Sequence, residues 1–251
     1  MTAPTDIDSR GGLRIGLLVP FTNTNFEPDM VRLKPPGATL HSARLGGYDS
    51  EAIPGADQMA GLGASPVDEP VRLIAGVRPH AVLYGCTSAT LTHGRAFDQS
   101  LSATLAERCG AVSITAAGAL VAALHTLGVR RVGFASPYLG EINTQATAFL
   151  ADAGVQTVRC HDIGRALDNY GQGELTPAEV YALGCAADHP EAEAIVLSCT
   201  DMRSVEAVEA LEATLGKPVV TSNQAMVHTL CTAVGCPPPP DACGTLLRDH
   251  L

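Results

Sequence analysis

The chain has 251 residues, which is enough to bury a substantial core as one large or two small domains. Its formal net charge is −10 and no basic stripe is visible, which argues against nucleic acid or an anionic membrane as a partner. Aromatic residues make up only 4% of the chain and Trp is absent. The core must therefore consist of Ala, Val, Leu and Ile, which suits a parallel sheet buried on both faces.

Short apolar runs alternate with helical patterns through the first part of the chain. Strands are predicted at residues 13–19, 38–44, 81–84 and 112–115, and helices at 27–33, 66–77 and 96–109. Residues 46–63 are rich in Gly and Pro, show no strong period, and are interpreted as a loop that can include a helical turn. Residues 1–12 are polar, lack the apolar stretch of a signal peptide, and are interpreted as a loose tail.

The same alternation continues beyond residue 115. Helices are predicted at residues 116–127, 141–153, 176–188, 205–215 and 225–234, and strands at 132–135, 156–161, 194–198 and 219–221. Strands that alternate with helices imply a parallel, right-handed α/β arrangement. The proline run at 237–240 ends this order, and the remaining tail is expected to pack back loosely.

The chain contains an internal repeat. The segment Arg-Ile-Gly-Leu-Leu-Val-Pro at 14–20 resembles Arg-Val-Gly-Phe-Ala-Ser-Pro at 131–137, and residues 110–115 parallel residues 217–222. A repeat of this size that occurs twice predicts two pseudo-equivalent α/β halves rather than a solenoid. The alternative is that any α/β protein produces similar apolar runs, but here the shared order includes two Cys-Thr pairs.

Those pairs are centred on Cys86 and Cys199, which occupy matching places. Each cysteine ends an apolar run and is followed by threonine and a predicted helix start. The carboxyl end of a buried strand is where open α/β sheets bind ligands, and a helix N-terminus there can lower the pKa of a thiol. Two such thiols predict one cleft in which a small molecule is attacked from both sides, by proton transfer or by addition to a double bond.

Hydroxyl groups flank both thiols. Thr87 and Ser88 follow Cys86, and Thr200 follows Cys199. Each can donate a hydrogen bond to a carboxylate as it becomes enolate-like, or can instead cap a helix. The two roles are compatible, because the backbone N–H groups at the start of a helix can bind an anion as well as a capping side chain.

Other kinds of site have little support. Cys231, Cys236 and Cys243, with His228 and His250 nearby, match no zinc spacing, so we expect no metal. Phosphate-binding glycine motifs and the hydrolase motif Gly-x-Ser-x-Gly are absent. The longest apolar segment, 116–129, is too short to span a membrane, and the eight cysteines fit a reduced cytoplasmic compartment.

Three segments carry a family resemblance: Val-Pro-Phe-Thr-Asn-Thr-Asn-Phe-Glu at 19–27, Gly-Cys-Thr-Ser at 85–88 and Ser-Cys-Thr at 198–200. They resemble the aspartate/glutamate racemase superfamily, and within it the branch of maleate cis–trans isomerases and arylmalonate decarboxylases. The resemblance implies two pseudo-symmetric three-layer α/β/α halves with mainly parallel sheets and an active site in the cleft between them. Residues 1–115 with 222–251 would form the half that carries Cys86, and residues 116–221 the half that carries Cys199.

The resemblance also implies roles for particular residues. Cys86 matches the cysteine that attacks the alkene of maleate, and Cys199 matches the one that handles the proton. Asn23, Tyr138 and Asn169 match residues that hold carboxylates; the alternatives are a turn residue, a buried edge aromatic and a loop cap, respectively. No cofactor is implied, and we expect a small carboxylate substrate and a homo-oligomer.

Alternatives to maleate isomerisation stay open at this point. The family resemblance implies that arylmalonate decarboxylases carry glycine at the position of Cys86. Two cysteines therefore favour isomerisation or racemisation over decarboxylation. The segment Thr-Asp-Met-Arg after Cys199 is closer to family members placed in ectoine breakdown, which keeps a two-base racemase or epimerase in view. Asp201 would repel a dianion unless it points away or Arg203 offsets it. A non-catalytic anion-binding protein is the remaining alternative.

Overall fold

The computed structural model describes residues 12–46, 55–64 and 67–251. Within them the strands form two four-stranded parallel sheets, in the orders β2-β1-β3-β4 and β6-β5-β7-β8. The strands are β1 (Leu13–Pro20), β2 (Ala38–Leu45), β3 (Ala81–Tyr84), β4 (Val112–Thr115), β5 (Arg131–Ser136), β6 (Gln156–Asp162), β7 (Ala194–Leu197) and β8 (Val219–Thr221). The second sheet repeats the order of the first, which confirms the predicted fold of two pseudo-symmetric α/β halves.

Helices flank both sheets. They are α1 (Phe26–Leu33), α2 (Ala56–Ala64), α3 (Asp68–Ala75), α4 (Thr87–Leu91), α5 (Arg95–Cys109), α6 (Ala116–Thr126), α7 (Gly140–Ala151), α8 (Pro177–Ala186), α9 (Val208–Leu215), α10 (Ser222–Val234) and α11 (Gly244–Asp249), with a 3-10 turn at Val205–Ala207. Among the described residues, no helix combines the length and apolar character needed to cross a bilayer.

The two halves meet along helices α6 and α10. Each begins directly after the last strand of its sheet, where Thr115 or Thr221 accepts a hydrogen bond from the backbone N–H three residues on. The two helices pack against one another, and each contacts both β4 and β8. One apolar cluster therefore runs through both sheets, and the division of the chain into halves at residues 115 and 221 stays a prediction.

Three local predictions were wrong. Within the predicted loop 46–63, residues 47–54 lie outside the described residues, but helix α2 forms at Ala56–Ala64 because Met59 and Leu62 are buried. The tail after the proline run is not loose: it forms α11, which buries Leu246 and Leu247. No helix follows Cys199 directly, since the chain turns through 200–204 before the 3-10 helix. Residues 1–11 and the predicted helix start at 66 also lie outside the described residues.

Candidate active site

One cavity lies between the carboxyl ends of the two sheets. It encloses about 350 Å³ of empty space, part of it open to solvent. The structure brings together there all eight side chains that the sequence predicted: Asn23, Cys86, Thr87, Ser88, Tyr138, Asn169, Cys199 and Thr200. Parallel strands of both halves end at this cleft, so each half contributes one cysteine.

Cys86 lies at the end of β3 and is the residue that precedes α4. Its side chain is only 5% exposed. Burial raises the pKa of the Cys86 thiol, although a backbone hydrogen bond from Ala89 and the hydroxyl of Ser88, 3.8 Å from the sulfur, act in the opposite direction. The expectation that a helix start lowers this pKa was therefore wrong in its net effect: helix α4 has five residues, and desolvation outweighs its donors.

Cys199 lies at the end of β7 and has different partners. Its thiol donates a hydrogen bond to Oε1 of Gln172 at 3.5 Å and accepts one from the backbone N–H of Asp201 at 3.4 Å. Burial, followed by the negative charge of Asp201, raises the pKa of Cys199 to about 12. The cysteine consequently keeps its proton at neutral pH.

Tyr138 places its hydroxyl next to both thiols. The side chain is buried, and its hydroxyl interacts with Cys199 and Ser88. Burial and the neighbouring thiols raise the pKa of Tyr138 well above its usual value, so it remains a neutral donor. Its backbone is fixed from both sides, because Ser136 Oγ accepts its N–H at 3.1 Å and Asn143 Nδ2 donates to its carbonyl at 2.8 Å.

Asn23 and Thr200 connect the two halves. Asn23 Nδ2 donates to Thr200 Oγ1 at 3.0 Å, and the Thr200 hydroxyl donates to the carbonyl of Gly85 at 2.7 Å. Asn23 Oδ1 also accepts the backbone N–H groups of Asn25 and Phe26, so it is a turn residue and a cavity residue at once. The two roles considered for Asn23, a turn residue and a residue that holds a carboxylate, are therefore compatible.

Thr87, Ser88 and Asn169 are the other residues predicted to contact the substrate. Thr87 donates to Ser222 Oγ and Ser88 to Met59 Sδ, both at 3.0 Å, and neither caps a helix. Asn169 is buried and lines the cavity, whereas its neighbour Asp168 accepts the N–H groups that close the local turn.

Sequence reasoning missed several residues of this cavity. Gln172 contacts Cys199 from a Gly-rich loop, and Met59 reaches Ser88 from the helix that was interpreted as a loop. Thr22 and Pro20 also line the cavity. No periodicity or motif marks Gln172 or Met59. Pro20 and Thr22, by contrast, lie beside Asn23 within the segment 19–27 that carries the family resemblance.

Of the two charged residues beside Cys199, Asp201 lines the cavity and Arg203 does not. Asp201 Oδ1 accepts the backbone N–H groups of Thr24 and Asn25, and Arg203 pairs with Glu206 at the surface. No Lys, Arg or His side chain lines the described part of the cavity. A carboxylate would accordingly be held by neutral amides, hydroxyls and backbone N–H groups. Within the described ranges, no three His, Cys, Asp or Glu side chains gather as a metal site.

The fold and the cavity together define a class of protein: two-halved α/β proteins in which each half supplies one thiol to a shared cleft. This chain belongs to the arylmalonate decarboxylase family, whose model matches residues 15–247. It is 29% identical to the maleate isomerase of Nocardia farcinica, over 94% of this chain and 95% of the relative. It is 30% identical to the arylmalonate decarboxylase of Bordetella bronchiseptica, over 84% of this chain and 86% of the relative.

Solved structures show the same likeness. A cysteine-to-serine mutant of the Nocardia farcinica maleate cis–trans isomerase, with a covalently bound succinylcysteine intermediate, matches with a TM-score of 0.85 at 26% identity. The match covers 95% of this chain and 99% of that one. These relatives are enzymes, and they confirm the branch of the superfamily that the sequence resembles.

Proposed function

We propose that this protein is a cofactor-independent isomerase of a small carboxylic acid, and that it converts maleate to fumarate. The observation that carries the proposal is the placement of two buried thiols, one from each half, in a cavity with the hydroxyl of Tyr138 beside both. Likeness to maleate isomerases along nearly the whole chain supports it. Cytoplasmic location and homo-oligomer formation remain expectations from the sequence.

The surroundings of the two thiols suggest different roles. Cys86 has a backbone donor at Ala89, and the Ser88 hydroxyl can turn its proton from Met59 toward a thiolate 3.8 Å away; both interactions act to lower the pKa of Cys86. Cys199 also receives hydrogen bonds from the backbone N–H of Asp201 and from Tyr138, but it donates its own proton to Gln172, and burial together with the charge of Asp201 raises its pKa to about 12. Cys86 is therefore the nucleophile and Cys199 the proton donor.

The reaction follows from this arrangement. Cys86 loses its proton to solvent, and its thiolate adds to one alkene carbon of maleate. Negative charge then develops on the neighbouring carboxylate, where Tyr138 and the amides of Asn23 and Asn169 stabilise it. Cys199 gives its proton to the second carbon, which yields a succinyl adduct with a freely rotating central bond. After rotation Cys199 takes the proton back, the carbon–sulfur bond breaks, and fumarate leaves with the thiolate restored.

Arylmalonate decarboxylation is the second candidate, because a decarboxylase is among the relatives at 30% identity. Cys86 argues against it, since the resemblance places a glycine there in decarboxylases. Racemisation uses the same two thiols on opposite faces of one carbon. The three reactions differ in their products, so a single set of assays separates them.

The test is proton NMR in heavy water with maleate, arylmalonates and chiral amino and hydroxy acids as substrates. We expect conversion of maleate to fumarate, and a loss of at least ~100-fold in kcat for Cys86→Ala and for Cys199→Ala. Cys160→Ala is the matched control, because Cys160 is exposed on the edge strand β6 and does not line the cavity. Deuterium at a chiral carbon, loss of carbon dioxide, or unchanged turnover in either cysteine variant would contradict the proposal.

A further inference from the structure

The carboxylate of Asp201 crosses the cleft between the two halves. Its Oδ1 accepts hydrogen bonds from the backbone N–H of Thr24 at 2.8 Å and of Asn25 at 3.1 Å. Asp201 follows β7 in the second half, whereas Thr24 and Asn25 lie between β1 and α1 in the first. A buried carboxylate thus binds the two loops that carry Thr200 and Asn23.

Asn25 adds a third loop to this contact. Its Nδ2 donates to the carbonyl of Asp201 at 2.7 Å and to the carbonyl of Gly173 at 3.0 Å. Gly173 fits closely, since a Cβ there would lie 3.0 Å from Asp201 Oδ2 and 3.0 Å from Thr24 Oγ1. We call Thr24, Asn25, Gly173 and Asp201 the three-loop junction.

Every loop of the three-loop junction carries a cavity residue close by in the sequence. Asn23 is two residues before Asn25, Gln172 is the residue before Gly173, and Thr200 is the residue before Asp201. In the proposed reaction Asn23 stabilises the carboxylate and Gln172 accepts the hydrogen bond of the Cys199 thiol, while Thr200 accepts the hydrogen bond that orients Asn23. Displacement of any one loop would move a group that touches the substrate or a thiol.

We propose that Asp201 is a positioning residue, which holds the three loops together so that Asn23, Gln172 and Thr200 are fixed against the two thiols. The catalytic part of this inference rests on the proposed isomerase function. The structural part does not, because it concerns contacts that exist without substrate. Asp201 itself lines the cavity, but the role assigned to it acts through the hydrogen bonds to its neighbours.

Charge contributes to the three-loop junction. Burial raises the pKa of Asp201 to about 6, while the N–H donors of Thr24 and Asn25 and the positive charge of Arg44 act in the opposite direction. Arg44 approaches from β2, where it also donates to the carbonyl of Asn23 at 2.6 Å and pairs with Glu27. The thiols of Cys86 and Cys199 also face Asp201, and both stay protonated near pH 6. Protonation of Asp201 as the pH falls through about 6 removes the negative charge that strengthens the hydrogen bonds from Thr24 and Asn25, although burial favours the protonated carboxyl.

The first test compares wild type, Asp201→Asn and Asn25→Ala in maleate kinetics from about pH 5 to 8. Asp201→Asn keeps an acceptor oxygen but loses the charge, so we expect KM to rise about tenfold at pH 7.5, with a smaller change in kcat. Near pH 5 wild type and Asp201→Asn should converge, because protonated Asp201 and Asn carry the same charge. A KM ratio that stays constant across this range would overturn the role assigned to the carboxylate.

The second test needs no substrate turnover. Mass spectrometry follows the rate at which iodoacetamide alkylates Cys86 and Cys199 in wild type, Asp201→Asn, Asp201→Ala and Asn25→Ala. Asp98→Asn is the matched control. Asp98 is also buried, but it accepts a hydrogen bond from the Thr115 hydroxyl and does not line the cavity. We expect alkylation of the cavity thiols to accelerate at least ~fivefold in the junction variants and to stay unchanged in the control.

The two tests fail separately. Unchanged alkylation in Asn25→Ala would overturn the positioning role whatever the turnover shows, because this variant keeps the Asp201 charge, which itself raises the pKa of both thiols. Accelerated alkylation in a protein that leaves maleate unchanged would support the three-loop junction and overturn the isomerase function instead. If Asp201→Ala does not fold, the two milder variants decide the question.

Discussion

The thiol of Cys199 donates its proton to Oε1 of Gln172 at 3.5 Å, whereas the sulfur of Cys86 lies 3.8 Å from the hydroxyl of Ser88, and either of those two atoms can be the donor. Two cysteines in matching places of a duplicated fold thus have unlike partners. An acceptor stabilises the protonated thiol and a donor stabilises the thiolate. The pseudo-symmetry of the backbone is therefore not a symmetry of the chemistry, which gives the proposed reaction one nucleophile and one proton donor.

The pH dependence of catalysis should reflect this asymmetry. Burial raises the pKa of Cys86 above its usual value, so the reactive thiolate is a minor species at neutral pH and increases as the pH rises. Cys199 has a pKa of about 12 and keeps its proton throughout. We expect the logarithm of kcat/KM to rise with a slope of about one from pH 6.5 to 9 without an alkaline fall. Circular dichroism at each pH serves as the folding control, and a maximum below pH 8 would contradict the assignment.

Replacement of Tyr138 by Phe should impair catalysis without loss of structure. The hydroxyl is a neutral donor beside both thiols, and its loss removes a hydrogen bond to charge that develops on the substrate carboxylate. We expect kcat/KM for maleate to fall about 100-fold. Tyr181→Phe is the control, because the Tyr181 hydroxyl bonds to Thr214 on the outer helices. Equal activity of the two variants would show that the Tyr138 hydroxyl takes no part.

The sequence was sufficient to predict the two cysteines, because their surroundings are visible as a local pattern. Cys86 and Cys199 each end a short apolar run, and in a parallel sheet the ends of such runs meet at one edge. The internal repeat then predicted that the two edges face the same cleft. The strands at 81–84, 112–115 and 219–221 have the predicted bounds, because each also forms a short local pattern that is visible in the sequence.

Gln172 and the thiol pKa values could not be predicted from the sequence. Gln172 lies in a loop without periodicity, and its place beside Cys199 depends on tertiary contacts such as that between Asn25 and Gly173. A local reading of the helix start after Cys86 predicts a lowered pKa, but the net shift depends on how deeply the packed cleft buries the sulfur. Burial is a property of the whole fold and cannot be predicted from the residues next to Cys86 in the sequence.

Gly85 should tolerate no side chain, because it sits between Cys86 and the ring of Phe26. A Cβ at Gly85 would lie 2.4 Å from Cε1 of Phe26, whose side chain is fully buried. We expect Gly85→Ala to lower the free energy of unfolding by about 1–3 kcal/mol and to reduce activity by displacing Cys86. Gly61→Ala is the control, since a Cβ there meets nothing within 4 Å. Urea denaturation measures both, and equal stability of the two variants would contradict the prediction.

Asp29 should make the stability of the protein depend on pH. It is buried on α1, and Asn223 Nδ2 donates to its Oδ2 at 2.6 Å and to the carbonyl of Thr200 at 3.1 Å. Burial raises the pKa of Asp29 from 3.8 to about 7, against the effect of the Asn223 hydrogen bond. The native state therefore binds a proton more tightly than the unfolded chain, and this contribution to stability is present below pH 4 and is lost as the pH rises through about 7.

Asp29→Asn removes that titration while it keeps an acceptor for Asn223. We expect the variant to exceed wild type in free energy of unfolding at pH 8, by at most about 4 kcal/mol, and to match it near pH 4. Urea denaturation at both pH values measures the difference, and comparison with wild type cancels the other titrating groups. Asp68→Asn, at an exposed carboxylate paired with Arg108, should show no such trend. A stability difference between Asp29→Asn and wild type that is the same at both pH values would mean that Asp29 titrates alike in the folded and unfolded chain.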